Sequence, residues 1–582
     1  MKHHKNLYIK TAAQMSTQEE STYIQSEETS NVSEVKLPKT ATAFHFLMSA
    51  NLFSALINNI SDCDETYNYW EPLHHLIYGK GFETWEYSPV YAIRSWAYIH
   101  VHYVFTLVFL GFAQFEKLII FYFIRMVLGA FCTVCQLQFY EGVVLRFGNN
   151  VAKILLVVMV CAPGMFISST AFLPSSFCMY MTYLCLGTWL KGNLSQAILA
   201  IACGAILGWP FCVVIGIPLA IDIFIRRQKY MFFIKWCVIA LLTMLVPCFA
   251  IDSFYYGKPV VACLNILWYN VFSKHGPDLY GTEPASYYLL NGILNFNVAF
   301  ITGICAIIII PCLECSIAIR YRGYRSPVLL LLFTLSPMYI WFLIFFLQPH
   351  KEERFLFPIY PCICLSAAVT VGTIQKAFCA FQLNKYINVI WISRVFLFGY
   401  IMLSLSRIAA VVQGYQASMH IYLNLKNIEI SDLKMCNTKI VCAGKEWHRF
   451  PSSFFLPENF TLQFIESDFH GQLPQLFDGQ GTQGTRAVLP NFNQENLEQK
   501  DRYVDMDRCH FLIDFDSGET SQNEPQFSKM ESWEVLKELD YIYSNGSKSR
   551  LYRSFYIPFY YNVKNTFGKY QLLRRSTHWS CM

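Results

Sequence analysis

Directly after its first long apolar stretch the chain reads Asp62-Cys-Asp-Glu-Thr-Tyr-Asn-Tyr-Trp-Glu71, which sets Asp64, Glu65 and Glu71 at the mouth of a membrane span. Carboxylates beside hydrocarbon are costly, so a cluster of them there points to chemistry. If residues 64–75 form an interfacial helix, Asp64, Asn68, Glu71 and His75 share one face, braced at headgroup level by Tyr67, Tyr69 and Trp70. The loop continues through Gly79-Lys-Gly81 and Trp85 to Arg94, where the next apolar run begins. Acids, aromatics and one Arg at a bilayer surface suit a sugar attached to a lipid phosphate. The plainer alternative is a polar loop that caps two helices and leaves its acids in water. Asp62-Cys-Asp64 also has Asp-x-Asp metal spacing, but Asp505-Met-Asp507 and Asp514-Phe-Asp516 match equally well, so the triplet makes no case for a metal.

A second set lies in Gln348-Pro-His-Lys-Glu-Glu-Arg-Phe355, five ionisable residues in a tight loop with hydrocarbon on both sides. Arg354 offers a planar fork to a phosphate, Lys351 a point charge and His350 a further donor. Glu352 and Glu353 would orient those cations or contact sugar hydroxyls. A plain connector with snorkelling charges needs fewer of them. The 251–289 loop, with Asp252, Tyr255, Tyr256, Lys258, His275 and Asp278, is long enough to serve as a lid or as a solvated connector.

The elements that must hold these loops are membrane helices. Of 582 residues 54% are hydrophobic and only 15% charged, against about 25% in an average soluble domain. The 49 Phe and 36 Tyr suit a lipid-facing surface with interfacial aromatic belts. A net charge of +5 with no basic stripe excludes nucleic acid as a partner. Apolar runs near 41–58, 97–113, 118–138, 151–170, 174–190, 195–225, 231–250, 290–313, 326–347, 355–376 and 388–411 predict about eleven transmembrane helices, Trp209-Pro210 being able to split one. Basic clusters at Arg226-Arg227-Gln-Lys229 and Arg320–Arg325 mark the cytosolic side. Residues 1–40 read as a disordered cytosolic tail, 41–411 as the transmembrane catalytic domain and 412–582 as a small mixed α/β luminal domain. Within that last part 471–502 reads as a long surface loop, and Asn459 and Asn545 open glycosylation triplets. Cys436, Cys442, Cys509 and Cys581 would sit in an oxidising space, with Cys436–Cys442 the favoured pair; Cys132-x-x-Cys135 and Cys312-x-x-Cys315 read as membrane-compatible hydrophobes.

Asp64-Glu-Thr-Tyr-Asn-Tyr-Trp-Glu-Pro-Leu-His74, the following Tyr-Gly-Lys-Gly-Phe, and Thr84-Trp-Glu-Tyr-Ser-Pro-Val-Tyr-Ala-Ile-Arg-Ser95 resemble the dolichyl-phosphate-mannose-dependent mannosyltransferases of the endoplasmic reticulum. His350-Lys-Glu-Glu-Arg-Phe355 is similar to that superfamily's second signature. The first-loop match and Gly444-Lys-Glu-Trp-His-Arg-Phe-Pro-Ser-Ser-Phe-Phe-Leu-Pro457 look like the α-1,2-mannosyltransferase branch of glycosyltransferase family 22, which extends the lipid-linked glycan for asparagine-linked glycosylation. The resemblance implies a GT-C fold in the endoplasmic reticulum membrane with the active site and C-terminal domain luminal. It also implies dolichyl phosphate β-D-mannose as donor and a dolichyl-diphosphate-linked oligosaccharide as acceptor.

A β-linked donor and an α-linked product require one inverting displacement, with a carboxylate taking the acceptor proton. Asp64 is the first choice for that base and Glu65 the second, because neighbours on a helix point about 100° apart. His350, Lys351, Arg354 and Arg94 would bind the donor phosphate. Glu71, His75, Trp70, Tyr67, Glu352 and Glu353 would contact sugar. No cofactor or metal is expected. The rivals are a mannosyltransferase of glycosylphosphatidylinositol assembly, a polytopic lipid or sugar transporter, and a non-catalytic subunit that binds through its luminal tail. A transporter should carry its acids near the bilayer midplane rather than at span ends.

Overall fold

The computed structural model describes residues 40–113, 115–272, 277–427 and 438–576. The expected N-terminal tail, His275, Cys436 and Cys581 lie outside them. Among the described residues seven helices are long and apolar enough to cross a membrane: Thr40–Ile57, Lys117–Cys161, Tyr230–Tyr256, Ser286–Arg320, Val328–Leu347, Glu353–Ala380 and Ile390–Tyr415. Their positions in the bundle differ sharply. The apolar window of Glu353–Ala380 is 89% buried by its neighbours, whereas that of Tyr230–Tyr256 is 11% buried and so faces outward.

Two expected spans, 118–138 and 151–170, run together in Lys117–Cys161, which breaks its helical geometry at Gly148 (φ 78°). Close crossings are made by small residues: a Cβ on Gly142 would meet the Gly187 carbonyl at 2.6 Å, so only glycine lets Lys117–Cys161 and Pro174–Leu190 approach that closely. The 195–225 run does break at Trp209, whose extended backbone separates Leu194–Gly208 from the turns that start at Pro210. The expected span 97–113 is different. Trp96–Leu110 starts where Asp252 caps its first turn, and Glu116 just beyond it pairs with Lys426, which follows the last long helix. Polar contacts thus tie this shorter apolar helix to the bundle at its start and just beyond its end.

The described residues form seven strands: β1 (Phe82–Glu83), β2 (Lys439–Ala443), β3 (Phe460–Phe464), β4 (Gln475–Leu476), β5 (Phe511–Asp516), β6 (Trp533–Ile542) and β7 (Phe567–Arg575). Five form one mixed sheet in the order β3-β2-β5-β7-β6, parallel at β3-β2-β5 and antiparallel beyond. β5 reads Phe-Leu-Ile-Asp-Phe-Asp and is buried on both sides, as a central strand must be. Cys442 on β2 and Cys509 before β5 form a disulfide with Cα atoms 5.7 Å apart, which corrects the expected Cys436–Cys442 pairing. Adjacent strands bring cysteines together across 67 residues of sequence, a closeness no local spacing reveals. Cys132, Cys135, Cys312 and Cys315 are free.

β1 belongs to the first loop and β4 to the expected 471–502 surface loop, and the two pair antiparallel. The short helix Gly481–Arg486 then docks on the end of Tyr230–Tyr256, with Thr485 donating to the Tyr255 carbonyl and Arg486 to that of Phe254. That stretch is a strap tied to the bundle, because its polar residues satisfy backbone groups rather than water.

Candidate active site

Asp62 starts the site by capping a helix: its Oδ1 accepts from the Asp64 amide at 2.9 Å. The helix does not continue as ideal α. Thr66–Trp70 is a π turn in which the Glu71 amide donates to the Thr66 carbonyl, and Glu71–Tyr78 then ends at Gly79 (φ 70°). One extra residue per turn rotates everything beyond it. That splits the expected Asp64–Asn68–Glu71–His75 face in two, with Glu71 and His75 turned into the interior.

Asp64 remains on the open side. Its Oδ2 lies 2.6 Å from an Arg354 terminal nitrogen and 3.3 Å from Arg94 Nη2, with 28% of its side chain exposed. Arg354 also donates to Asp62 Oδ1 at 3.1 Å and pairs with Glu352. Arg94 is held from behind: Glu86 accepts from its Nε at 3.0 Å and its Nη2 at 2.8 Å, and the Tyr69 hydroxyl accepts from Nη1 at 3.0 Å. Asn68 locks Glu86 by donating at 2.6 Å, and Thr84 in turn donates to Asn68. The backbone that aims Arg94 bends at Ala92 (φ 47°), whose carbonyl accepts from Asn265. Two loops nearly three hundred residues apart therefore meet on one carboxylate.

Four carboxylates, Asp62, Asp64, Glu86 and Glu352, surround two guanidiniums, and the environment sorts their acidities. Burial alone would raise Asp64, but Arg354 and Arg94 overcome it and hold its carboxyl below the usual range. Burial pushes Asp62 up to about 7, with Glu352 and Asp64 adding to the rise against Arg354. Burial also raises Glu86, opposed by Arg94. Asp62, Cys63 and Asp64 have ligand atoms within 4.8 Å of one another, the spacing of a cation site. Both of those carboxylates already ion-pair with guanidiniums.

The other expected site residues fall in different places. Glu65 is buried, and its Oε1 accepts from Trp70 Nε1 at 3.0 Å and the Phe172 amide at 2.9 Å. Trp70 is thereby a core residue, as is Tyr67, whose hydroxyl donates to the Trp447 carbonyl at 2.8 Å. Glu71 has no exposed surface; Ser452, the Ser453 amide, the Ser453 hydroxyl and the Phe82 amide all donate to it. His75 stacks on Phe477 with ring centres 4.0 Å apart, and burial lowers its pKa to about 4. His350 lies 3.0 Å from Glu352 and 2.8 Å from the Gly281 carbonyl; burial would lower its pKa, yet these two acceptors raise it. Lys351 spends its ammonium on the Glu283 and Gln348 carbonyls, and Glu353 accepts from Asn295 at 2.8 Å. The structure thus joins Arg94 and Arg354 on Asp64, with His350 one step away through Glu352 and Lys351 set to hold its loop. Asn459 and Asn545 are exposed, in the turns before β3 and after β6.

Of the site members, sequence reasoning gives Asp62 and Glu86 no role and places Asn68 and Tyr69 only on a polar face and its aromatic brace. Glu86 had a signal: a buried Arg94 needs a counter-ion, and the nearest acid upstream in the same loop is Glu86. A narrow, mostly apolar crevice opens beside Arg94, lined by Tyr69, Tyr98, Leu207, Trp209 and Ile266. An anion at Arg94 would have hydrocarbon-friendly walls next to it.

Residues 42–457 match the profile of the Alg9-like mannosyltransferase family. The α-1,2-mannosyltransferase ALG9 of Mus musculus is 46% identical over 93% of this chain and 90% of its own length. The Homo sapiens α-1,2-mannosyltransferase ALG9 is 45% identical over 93% of this chain and 90% of its length. Among solved structures, ArnT from Cupriavidus metallidurans in the apo state aligns over 79% of this chain and 89% of that one, at 12% identity with a TM-score of 0.49.

Proposed function

The chain belongs to the Alg9-like mannosyltransferase family, and from that premise we propose that it is an inverting α-1,2-mannosyltransferase of N-glycan precursor assembly. The donor is dolichyl phosphate β-D-mannose and the acceptor a mannose on a dolichyl-diphosphate-linked oligosaccharide. One observation carries the site assignment: Asp64, a partly exposed carboxylate, is bridged by two arginines from the two motif loops, one of which, Arg94, lines an apolar crevice.

Asp64 is the general base. The donor phosphate takes Arg94 and Arg354 as its partners, with the apolar Tyr69–Trp209 walls beside Arg94. Losing those cations raises the basicity of Asp64 at the moment a substrate is present. The acceptor 2-hydroxyl then attacks the anomeric carbon as its proton passes to Asp64, the carbon–oxygen bond to phosphate breaks, and dolichyl phosphate leaves with both bonding electrons. The guanidiniums stabilise the charge that grows on the leaving phosphate, a contribution of order 10²–10³ per preorganised donor. Glu86 and Asn68 hold Arg94, and Glu352 and His350 hold Arg354. Lys351 fixes the second loop, and Glu65, Glu71, His75, Trp70 and Tyr67 are scaffold. Glu353 braces the second loop through Asn295.

A GT-C arrangement of eleven crossings fits the helices. The seven long ones, the split of Lys117–Cys161 at Gly148, Pro174–Leu190, and the two halves of the 194–226 stretch make that number. An odd number puts the two ends of the bundle on opposite sides, and the basic clusters at Arg226–Lys229 and Arg320–Arg325 assign the start of Thr40–Ile57 to the cytosol. The Asp64 loop, the Arg354 loop, the sheet and the sequons at Asn459 and Asn545 then face the lumen of the endoplasmic reticulum. Purified protein given synthetic donor and a mannose-terminated lipid-linked acceptor should form a product that α-1,2-mannosidase reverses, with and without chelator. A product resistant to that enzyme, or transfer only to a glycosylphosphatidylinositol precursor, would overturn the assignment.

A further inference from the structure

Beyond β6 the chain runs from Lys548 to Asn565 with four cations (Lys548, Arg550, Arg553 and Lys564) and no acid. Its large apolar side chains are not packed inside. Phe559 is 94% exposed, Val563 77%, Leu551 58% and Tyr560 54%. An isolated exposed Leu needs no explanation, but four large side chains in one short segment form a patch that water disfavours.

The segment is not loose, because it is fastened to a membrane-spanning helix. The Tyr556 amide donates to the Ser406 carbonyl at 2.9 Å, and the Ser406 hydroxyl donates back to the Tyr556 carbonyl at 2.8 Å. Arg407 donates to the Ser554 carbonyl at 3.1 Å and the Tyr561 hydroxyl to that of Ala410 at 3.0 Å. Tyr561 and Ile542 pack with Ala410 in a small apolar cluster of their own. These anchors fix the height of the patch. Ser406 is fifteen residues above Trp391, or about 22 Å of helix. With Trp391 at one interface, a hydrocarbon core of about 30 Å ends above Ser406. The patch therefore stands at the outer edge of the hydrocarbon.

The lipid-facing stripe of the Ile390–Tyr415 helix runs into it. Val395, Phe398, Met402 and Leu405 are exposed at three- and four-residue spacing and end beside Ser406. On the membrane reading of this chain, we propose that residues 551–563 are an interfacial anchor: Phe559, Tyr560, Val563 and Leu551 enter the acyl region of the leaflet on the active-site side, while the surrounding Lys and Arg side chains meet lipid phosphates. Apolar burial together with basic residues is the chemistry of a helix or loop that lies in a membrane surface. The anchor sets the sheet at a fixed height over the bilayer. A lipid-linked substrate would meet it at that same height.

The test replaces Phe559 and, separately, Val563 with the photoreactive residue p-benzoyl-phenylalanine in the full chain, reconstituted in phosphatidylcholine nanodiscs. Exposed Lys537 on β6 serves as the control position. Irradiation followed by mass spectrometry should find phosphatidylcholine adducts at 559 and at 563 and none at 537. No lipid adduct at 559 and 563 in protein that keeps its transfer activity would overturn the proposal. So would crosslinks to another polypeptide, or lipid adducts equally at all three positions. Failure of mannosyl transfer itself would leave the adduct pattern readable, so the two readings fall separately.

Discussion

Asp64 lies between Arg354 and Arg94, and a carboxylate held in that way is ionised but weakly basic. A free base with its cations in place cannot take a hydroxyl proton well; the same base after a phosphate has claimed the cations can. Acid–base fitness and donor binding are thus one event at this residue. Glu86 decides whether the exchange works, because it grips Arg94 through two nitrogens. Glu86→Gln removes the charge and leaves the size, so Arg94 should swing onto Asp64 or away from the phosphate. Transfer should fall about 10–100-fold, read as a rise in donor KM together with a lower kcat. Unchanged donor kinetics would remove Glu86 from the site. At this scale much was legible: Asp64, Arg94 and Arg354 stand out in sequence as charges among aromatic and apolar neighbours. Of the pairing partners, Glu352 and, by its nearness to Arg94, Glu86 left a trace; the meeting of both arginines on Asp64 did not, since it is set by three-dimensional closeness.

The helical elements show where a periodicity argument stops. Residues 64–75 do form a helix, but the π turn at Thr66–Trp70 rotates Glu71 and His75 away from Asp64. No spacing rule announces a π turn, and its only trace is the company Glu71 keeps with Ser452 and Ser453 nearly four hundred residues later. That clasp joins the first loop to the connection between β2 and β3. Glu71→Ala would leave four buried donors without an acceptor and should cost about 3 kcal/mol, seen as a lower melting temperature. The acceptor KM of the protein that still folds should stay near wild type; a large KM change at unaltered stability would return Glu71 to sugar binding. Glu83 on β1 makes a companion case. Both its oxygens are buried without a partner, and burial pushes its pKa up from 4.5 to about 9. A group with a raised folded pKa binds its proton more tightly when folded. The stability it lends is complete below about pH 4.5 and is lost as pH rises through about 9. Glu83→Gln should therefore flatten the fall in melting temperature across that window, and an unchanged slope would show that Glu83 is not the group responsible.

For the whole molecule, hydropathy pointed to the seven helices that, among the described residues, are long and apolar enough to cross a membrane, because hydrocarbon thickness sets a length that any apolar run either meets or fails. It did not show that Trp96–Leu110 is tied to the bundle by polar contacts, nor that the long surface loop at 471–502 is strapped to it. Both omissions have one cause: composition reports what a segment can touch, while the Asp252 cap and the β1–β4 pairing decide what it does touch. Long-range contacts likewise assemble the site, since Asp64, Glu86 and Arg94 come from the first loop and Arg354 and Glu352 from a turn between two late helices. The most direct measurement is mannosyl transfer by purified Asp64→Asn protein alongside equilibrium binding of dolichyl phosphate, the leaving group itself. Transfer should fall by about 10³ or more while dolichyl phosphate still binds Arg94 and Arg354, at least as tightly as in wild type because they no longer face the Asp64 charge. Wild-type turnover by Asp64→Asn would contradict the assignment of the base, and loss of dolichyl phosphate binding would contradict the exchange of arginines from carboxylate to phosphate.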